Sequence, residues 1–175
     1  MTDDRKKLAI YTVEEKLFVV DYPNSIDVNK EQEEMTLKSI ENVKEIKDVL
    51  AMKIYSNNSS VHDRIYTGTS QGEINVYTCD TLSQESDGNP TTYKIKANDY
   101  GKVNKIAIGD EFIFCSLDKT KFFRCNKKSD DEEDLVLIKQ FDREIISINC
   151  CITDKNERVF VNTGEKVIVY NQEGF

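Results

Sequence analysis

The sequence predicts an all-β protein built from a repeated four-stranded antiparallel meander. Three observations carry that prediction: alternating apolar runs that meet across tight polar turns, recurrence of this hairpin pattern along the chain, and further β-branched or aromatic runs between the hairpins. The clearest hairpin is residues 64–77, RIYTGTSQGEINVY. Ile65 and Thr67 share one face of its first strand, and Ile74 and Val76 share one face of its second. Ser70-Gln71-Gly72 supplies the reversal, where Gly72 is free to adopt a positive φ.

In chain order, the first hairpin is residues 7–20, KLAIYTVEEKLFVV, with Glu14-Glu15 at its turn. From 31 to 50, Met35, Ile40, Val43, Ile46 and Leu50 recur at helix-compatible spacings, whereas Met35 and Leu37 alternate. The expectation is a strand around 34–40 and then a loop or short helical turn; a helix through the whole stretch would be an insertion. VLAMKIYS (49–56) precedes the second hairpin and TTYKIKA (91–97) follows it. VNKIAIG (103–109) leads into the third, EFIFCSLDKTKFFR (111–124), with Ser116, Asp118 and Thr120 placed in its turn, and DLVLIKQF (134–141) follows. EIISINCCI (144–152) leads into the fourth, RVFVNTGEKVIVY (158–170), with Gly164 in the turn. The second strands end at Val20, Tyr77, Arg124 and Tyr170, giving spacings of 57, 47 and 46 residues.

A period in the forties with four antiparallel strands per unit is that of a β-propeller blade. The expected blades are roughly 6–40, 49–97, 103–141 and 144–175, in one domain spanning 1–175. Thr67-Gly68-Thr69-Ser70-Gln71-Gly72-Glu73-Ile74-Asn75-Val76-Tyr77 resembles the turn and third strand of a WD-repeat blade, with Tyr77 in place of Trp. Ser116-Leu117-Asp118-Lys119-Thr120 is similar to the family's turn. No Trp-Asp pair and no Gly-His dipeptide occurs, and the single His62 lies in polar SNNSSVHD, so the hydrogen-bonded tetrad of many WD blades has no residues to form it. The chain thus resembles a degenerate WD-like propeller of about three and a half blades. Closed rings take roughly 4 to 8 blades, so an incomplete ring is expected, its open edges completed by a longer chain or by strand addition from a partner.

Hydrophobic residues at 38%, charged residues at 32%, no Trp and two Pro describe a folded globular protein, not a disordered one. No apolar run approaches the ~20 residues of a membrane span, and MTDDRKKLAIYTV lacks the apolar core of a secretory signal. An intracellular location, cytoplasmic or nuclear, is expected. Five cysteines with no CxxC pair and one His predict buried free thiols, not a disulfide framework or a zinc site. Cys150 and Cys151, adjacent on a strand, point to opposite faces and cannot share one ion. The glycines form neither GxGxxG nor GxxxxGK[ST], so no cofactor is expected. A net charge of -8 opposes direct nucleic-acid binding. Tyr66, Tyr77, Phe112, Phe114, Phe122, Phe123, Phe160 and Tyr170 fall inside strand patterns and are expected to pack between blades.

In a WD-like blade the connections after the first and third strands leave one face of the disc. Those after the third strands, 22–34, 80–90 and 126–134, exceed the usual ~4 to 6 residues. Each carries a charge of -3: Asp27, Glu31, Glu33 and Glu34 against Lys30 in the first, Asp80, Glu85 and Asp87 in the second, and Asp130, Asp131, Glu132, Glu133 and Asp134 against two lysines in the third. Such a face would attract basic segments of a partner protein. Ser129, ahead of Asp130-Asp131-Glu132, resembles an acidophilic-kinase acceptor. The family resemblance implies a non-enzymatic interaction scaffold, a subunit of an intracellular eukaryotic multiprotein complex. A reader of basic peptides is the second reading. An enzyme on a propeller scaffold is the third, and it would lose activity on His62→Ala.

Overall fold

The computed structural model describes residues 6–13, 15, 17–22, 48–55, 64–78, 91–94, 101–127, 136–153 and 156–171. Every regular element among them is a strand, and the strands form four sheets of antiparallel neighbours in chain order. The first sheet pairs β1 (Lys6–Tyr11) with β2 (Leu17–Tyr22). The second runs β3 (Val49–Tyr55), β4 (Arg64–Thr69), β5 (Glu73–Thr78) and β6 (Thr91–Lys94). The third runs β7 (Val103–Ile108), β8 (Phe112–Leu117), β9 (Lys121–Asn126) and β10 (Val136–Gln140). The fourth is β11 (Ser147–Thr153), β12 (Asn156–Asn162) and β13 (Val167–Asn171).

Tight turns set these registers. Between β4 and β5, Gly72 takes φ 79° and its N–H donates to the Thr69 carbonyl at 3.3 Å, while Thr69 Oγ1 accepts from the Gln71 and Glu73 amides. Between β8 and β9 the left-handed residues are Asp118 (φ 47°) and Lys119 (φ 66°). This corrects one placement: Ser116 is not in the turn but is a buried residue of β8, paired with Phe122, and the reversal is Asp118 to Thr120. The segment entering each later sheet docks on a turn. Asp48 Oδ2 accepts from the Ser70 amide and hydroxyl. The Asp118 amide donates to the Lys102 carbonyl at 3.0 Å, and the Lys119 amide to Asn104 Oδ1 at 2.9 Å. Ile145 donates its N–H to the Lys119 carbonyl at 2.6 Å. That bond turns Ile145 toward the third sheet, while the Ile146 N–H already donates to the Asn162 carbonyl at 2.8 Å, and β11 begins at Ser147, later than the alternation from 144 suggests.

The sheets pack face on face, and three apolar clusters fill the gaps. Leu17, Ala9 and Tyr11 meet Ile65, Tyr77, Val49, Met52 and Ile54 between the first and second sheets. Tyr66, Ile74 and Val76 meet Val103, Ile106, Ile113, Cys115, Leu117 and Phe123 between the second and third. Ala107, Phe114 and Phe122 meet Ile145, Ile148, Val159 and Val161 between the third and fourth. Phe122 stacks on Phe114 at 6.1 Å and crosses to Tyr170 at 5.3 Å between ring centroids. Because the middle sheets are covered on both faces, β4 and β8 are buried along almost their whole length. This explains why Tyr66 is as buried as Ile65 beside it.

A helix through 31–50 does not extend to its end, since Val49 and Leu50 belong to β3; residues 34–40 lie outside those described. Cys115, Cys125, Cys150 and Cys151 are free thiols, and Cys151 is exposed, not buried as expected. Phe160 also departs from expectation. It alternates with inward-facing Val159 and Val161 and so lies on the outer side of the fourth sheet, away from the inter-sheet cluster.

Candidate protein-binding surfaces

At one end of the sheets, polar side chains tie three of them together. The β7–β8 connection brings Gly109 and Asp110 beside the end of β3, the residue after β9 and the start of β12. Tyr55 donates its hydroxyl to Asp110 Oδ1 at 2.9 Å. Burial, then Asp110, pushes that phenol up to about 12. The Lys127 ammonium donates to the Gly109 carbonyl and stands 3.8 Å from the Tyr55 ring centroid. Burial lowers its pKa to about 8, against the raising influence of Asp110 and Glu157.

Glu157 closes the group. It is 2% exposed, accepts from the Cys150 thiol at 3.3 Å on Oε1, and leaves Oε2 buried without a partner. Burial raises its pKa, and it in turn adds to the burial that pushes the Cys150 thiol up to about 12. At neutral pH Cys150 and Tyr55 are therefore protonated donors, so the cluster clamps strands instead of offering a nucleophile. The Glu157 carboxylate lies directly against Gly109, so a Cβ there would displace the carboxylate from its present position.

The same end is where the connection after β9 departs, since the Lys127 amide donates to the Glu111 carbonyl of the β7–β8 connection at 2.9 Å. The predicted acidic residues Asp27, Glu31, Glu33, Glu34, Asp80, Glu85, Asp87, Asp130, Asp131, Glu132 and Glu133, together with Ser129 and His62, lie outside the described residues. Among the described residues, no group of three His, Cys, Asp or Glu side chains could hold a metal ion, and no helix is long and apolar enough to cross a membrane.

The second surface is the outer face of the fourth sheet. Its outward positions form cross-strand rows: Val167 with Asn162 and Ser147, Val169 with Phe160 and Asn149, and Asn171 with Arg158 and Cys151. Val167 is 59% and Val169 52% exposed, and Ile146 beside the sheet is 52% exposed. In the middle sheets the corresponding faces are covered by a neighbouring sheet. A cleft of about 370 Å³ runs along the opposite side of this sheet's junction, between Lys139–Arg143 and Thr163–Ile168, with Arg143 paired to Glu165 at 2.8 Å.

Sequence reasoning missed both surfaces. Glu157 was visible as a charged residue at an inward position, two before Val159 and four before Val161. Val167 and Val169 looked like any buried strand, because exposure depends on what packs outside them.

No protein-family model matches the chain, and no curated protein does. Among solved structures, the crystal structure of BBS1N in complex with ARL6DN, soaked with mercury, is similar with a TM-score of 0.60 at 8% identity, over 95% of this chain and 47% of that one. The chain thus spans about half the length of that structure. BBS1N is a β-propeller domain. At this identity the likeness carries the fold alone, and with four face-packed antiparallel sheets it makes this chain an all-β protein of β-propeller architecture.

Proposed function

We propose that the chain is a non-enzymatic protein–protein interaction scaffold, a WD-like propeller or part of one, acting as a subunit of an intracellular eukaryotic multiprotein complex in cytoplasm or nucleus. The observation that carries this reading is the open outer face of β11–β13, with Val167 and Val169 more than half exposed where the two middle sheets are covered on both faces. Exposed apolar patches of this kind mark contact surfaces. The crystallised complex of BBS1N with ARL6DN offers a precedent for a protein of this fold holding a protein partner. In a density gradient of extract from cells expressing the tagged chain, the native protein is expected to sediment well above its own mass, and a Val167→Glu, Val169→Glu variant close to it. Identical sedimentation of the two would sink the reading.

A second reading is supported by the acidic connections, one of which begins beside the polar end at Lys127. In it, Asp130, Asp131, Glu132 and Glu133, with the acidic residues of 22–34 and 80–90, capture a basic peptide. Affinity for a lysine- and arginine-rich peptide is then expected to fall steeply with salt, and to fall several-fold when Asp130 to Glu133 are neutralised. Phosphate on Ser129 would add about -1.5 to -2 charges and tighten capture. A salt-independent affinity rules this reading out.

A further inference from the structure

We propose that the cleft between the third and fourth sheets binds a short acidic segment of a partner protein, seating an apolar side chain between Phe141 and Ile168 and the flanking carboxylates on Lys139 and Lys166. The site is separate from the outer face of β11–β13, so the two can be tested apart. At about 370 Å³ the cleft falls at the lower end of the ~300–1,000 Å³ of ligand pockets. One wall is the stretch leaving β10, Lys139 to Arg143, and the other is the β12–β13 turn with the start of β13, as far as Ile168. Phe141 and Ile168 are only half-buried, which leaves apolar surface in the cleft for a side chain to cover.

Charge selects the ligand. The chain carries -8, yet the cleft walls hold three cations, Lys139, Arg143 and Lys166, against two carboxylates, Asp142 and Glu165. Arg143 is paired with Glu165 at 2.8 Å, and both side chains are more than half exposed. Lys139 and Lys166 stand on opposite walls, and among the described residues neither has an ion-pair partner. The backbone adds donors. Phe141 gives its N–H to the Thr120 carbonyl and Ile145 to that of Lys119, whereas the amides of Asp142 and Arg143 between them bond to no described group. Spare ammonium and amide donors suit carboxylates, and the apolar surface between the walls suits one aliphatic or aromatic side chain. The Arg143–Glu165 pair is no barrier, because so exposed an ion pair contributes little and a ligand carboxylate can take the place of Glu165. A basic segment would instead meet two unpaired lysines and a single unpaired carboxylate, Asp142.

Fluorescence anisotropy on the purified full chain tests this with three labelled probes, Glu-Glu-Glu-X-Glu-Glu-Glu with leucine, isoleucine or phenylalanine at X. At ~0.15 M salt the Debye length of about 8 Å confines repulsion by the rest of the molecule, so the cations of the cleft decide. Saturable binding is expected. Lys139→Glu, Lys166→Glu is expected to weaken it about tenfold, and serine at X several-fold. The sharpest expectation is a gain: Glu165→Gln frees Arg143 and tightens binding several-fold, which a structural role for that ion pair would not do. A Lys53→Glu, Arg158→Glu control changes the net charge equally at exposed cations outside the cleft, and is expected to bind like the native chain. All the substituted side chains are exposed, and circular dichroism checks that each variant keeps its β-sheet. Absence of binding by every probe at millimolar concentration overturns the inference, as does weaker binding in Glu165→Gln. Equal weakening by the control would reduce the effect to the field of the whole molecule and also overturn it. Equal affinity for the serine probe, or for an oligonucleotide of the same charge, would make the cleft a patch for any anion and refute the peptide site. None of these results bears on the outer-face reading, because Val167 and Val169 do not line the cleft.

Discussion

Glu157 shows how a single residue's chemistry is set by what encloses it. Its carboxyl is 2% exposed, with the Cys150 thiol on one oxygen and none of the described donors on the other. Burial disfavours the ionised form and raises the pKa in the folded state. The sign follows from linkage. Below the ordinary carboxylate range both folded and unfolded chains are protonated there, and the group costs nothing; as pH rises through the raised value, stability is lost. Glu157→Gln keeps the shape and removes the charge, so it is expected to stabilise the protein at pH 7 by on the order of 1 kcal/mol and to change little near pH 4. Urea midpoints of the two proteins at both pH values check this; a loss of stability at pH 7 would mean that the carboxylate is needed ionised. Lys127 works in the other direction. Its pKa, lowered to about 8, means that its protonation costs stability below that pH, and the cost disappears as pH rises from about 8 toward the ordinary lysine value.

Among elements, β4 and β7 come closest where Gly68 lacks a side chain. A Cβ on Gly68 would stand 2.7 Å from Val103 Cβ, inside the apolar gap between the second and third sheets. Gly68→Ala is expected to cost about 1–3 kcal/mol by forcing the sheets apart. Adding Val103→Ala should return part of that loss, and the non-additivity in thermal melts is the measurement. Most of these strands are legible in the sequence. The hairpin at 64–77 appears as β4 and β5, and VNKIAIG and VLAMKIYS appear as β7 and β3. Alternation and glycine-bearing turns are local signals that the chain states directly. The misplacements came from contacts between elements: Ser116 is drawn into β8 by its pairing with Phe122, and Ile145 is pulled off β11 by the Lys119 carbonyl.

For the molecule as a whole, stability resides in junctions between sheets. Phe114 is fully buried between the third and fourth sheets, stacked on Phe122, which reaches Tyr170. Phe114→Ala is expected to cost about 3–5 kcal/mol. Hydrogen exchange should show amides of both β7–β10 and β11–β13 losing protection together; loss confined to one sheet would mean that the sheets unfold independently. The sequence by itself determined that the chain is all-β, where its hairpins reverse and how often they recur, because strand alternation and turn chemistry depend on neighbours a few residues apart. Only the tertiary structure decided which faces are covered. Val159 and Val169 are both valines in strands of one sheet, yet one is fully buried and the other 52% exposed. Alternation places Glu157 on the inward face of its strand, but only the packed structure seals it against Gly109 of the β7–β8 connection and Cys150. Burial is a property of what packs from outside the segment, and residues distant in the chain set it.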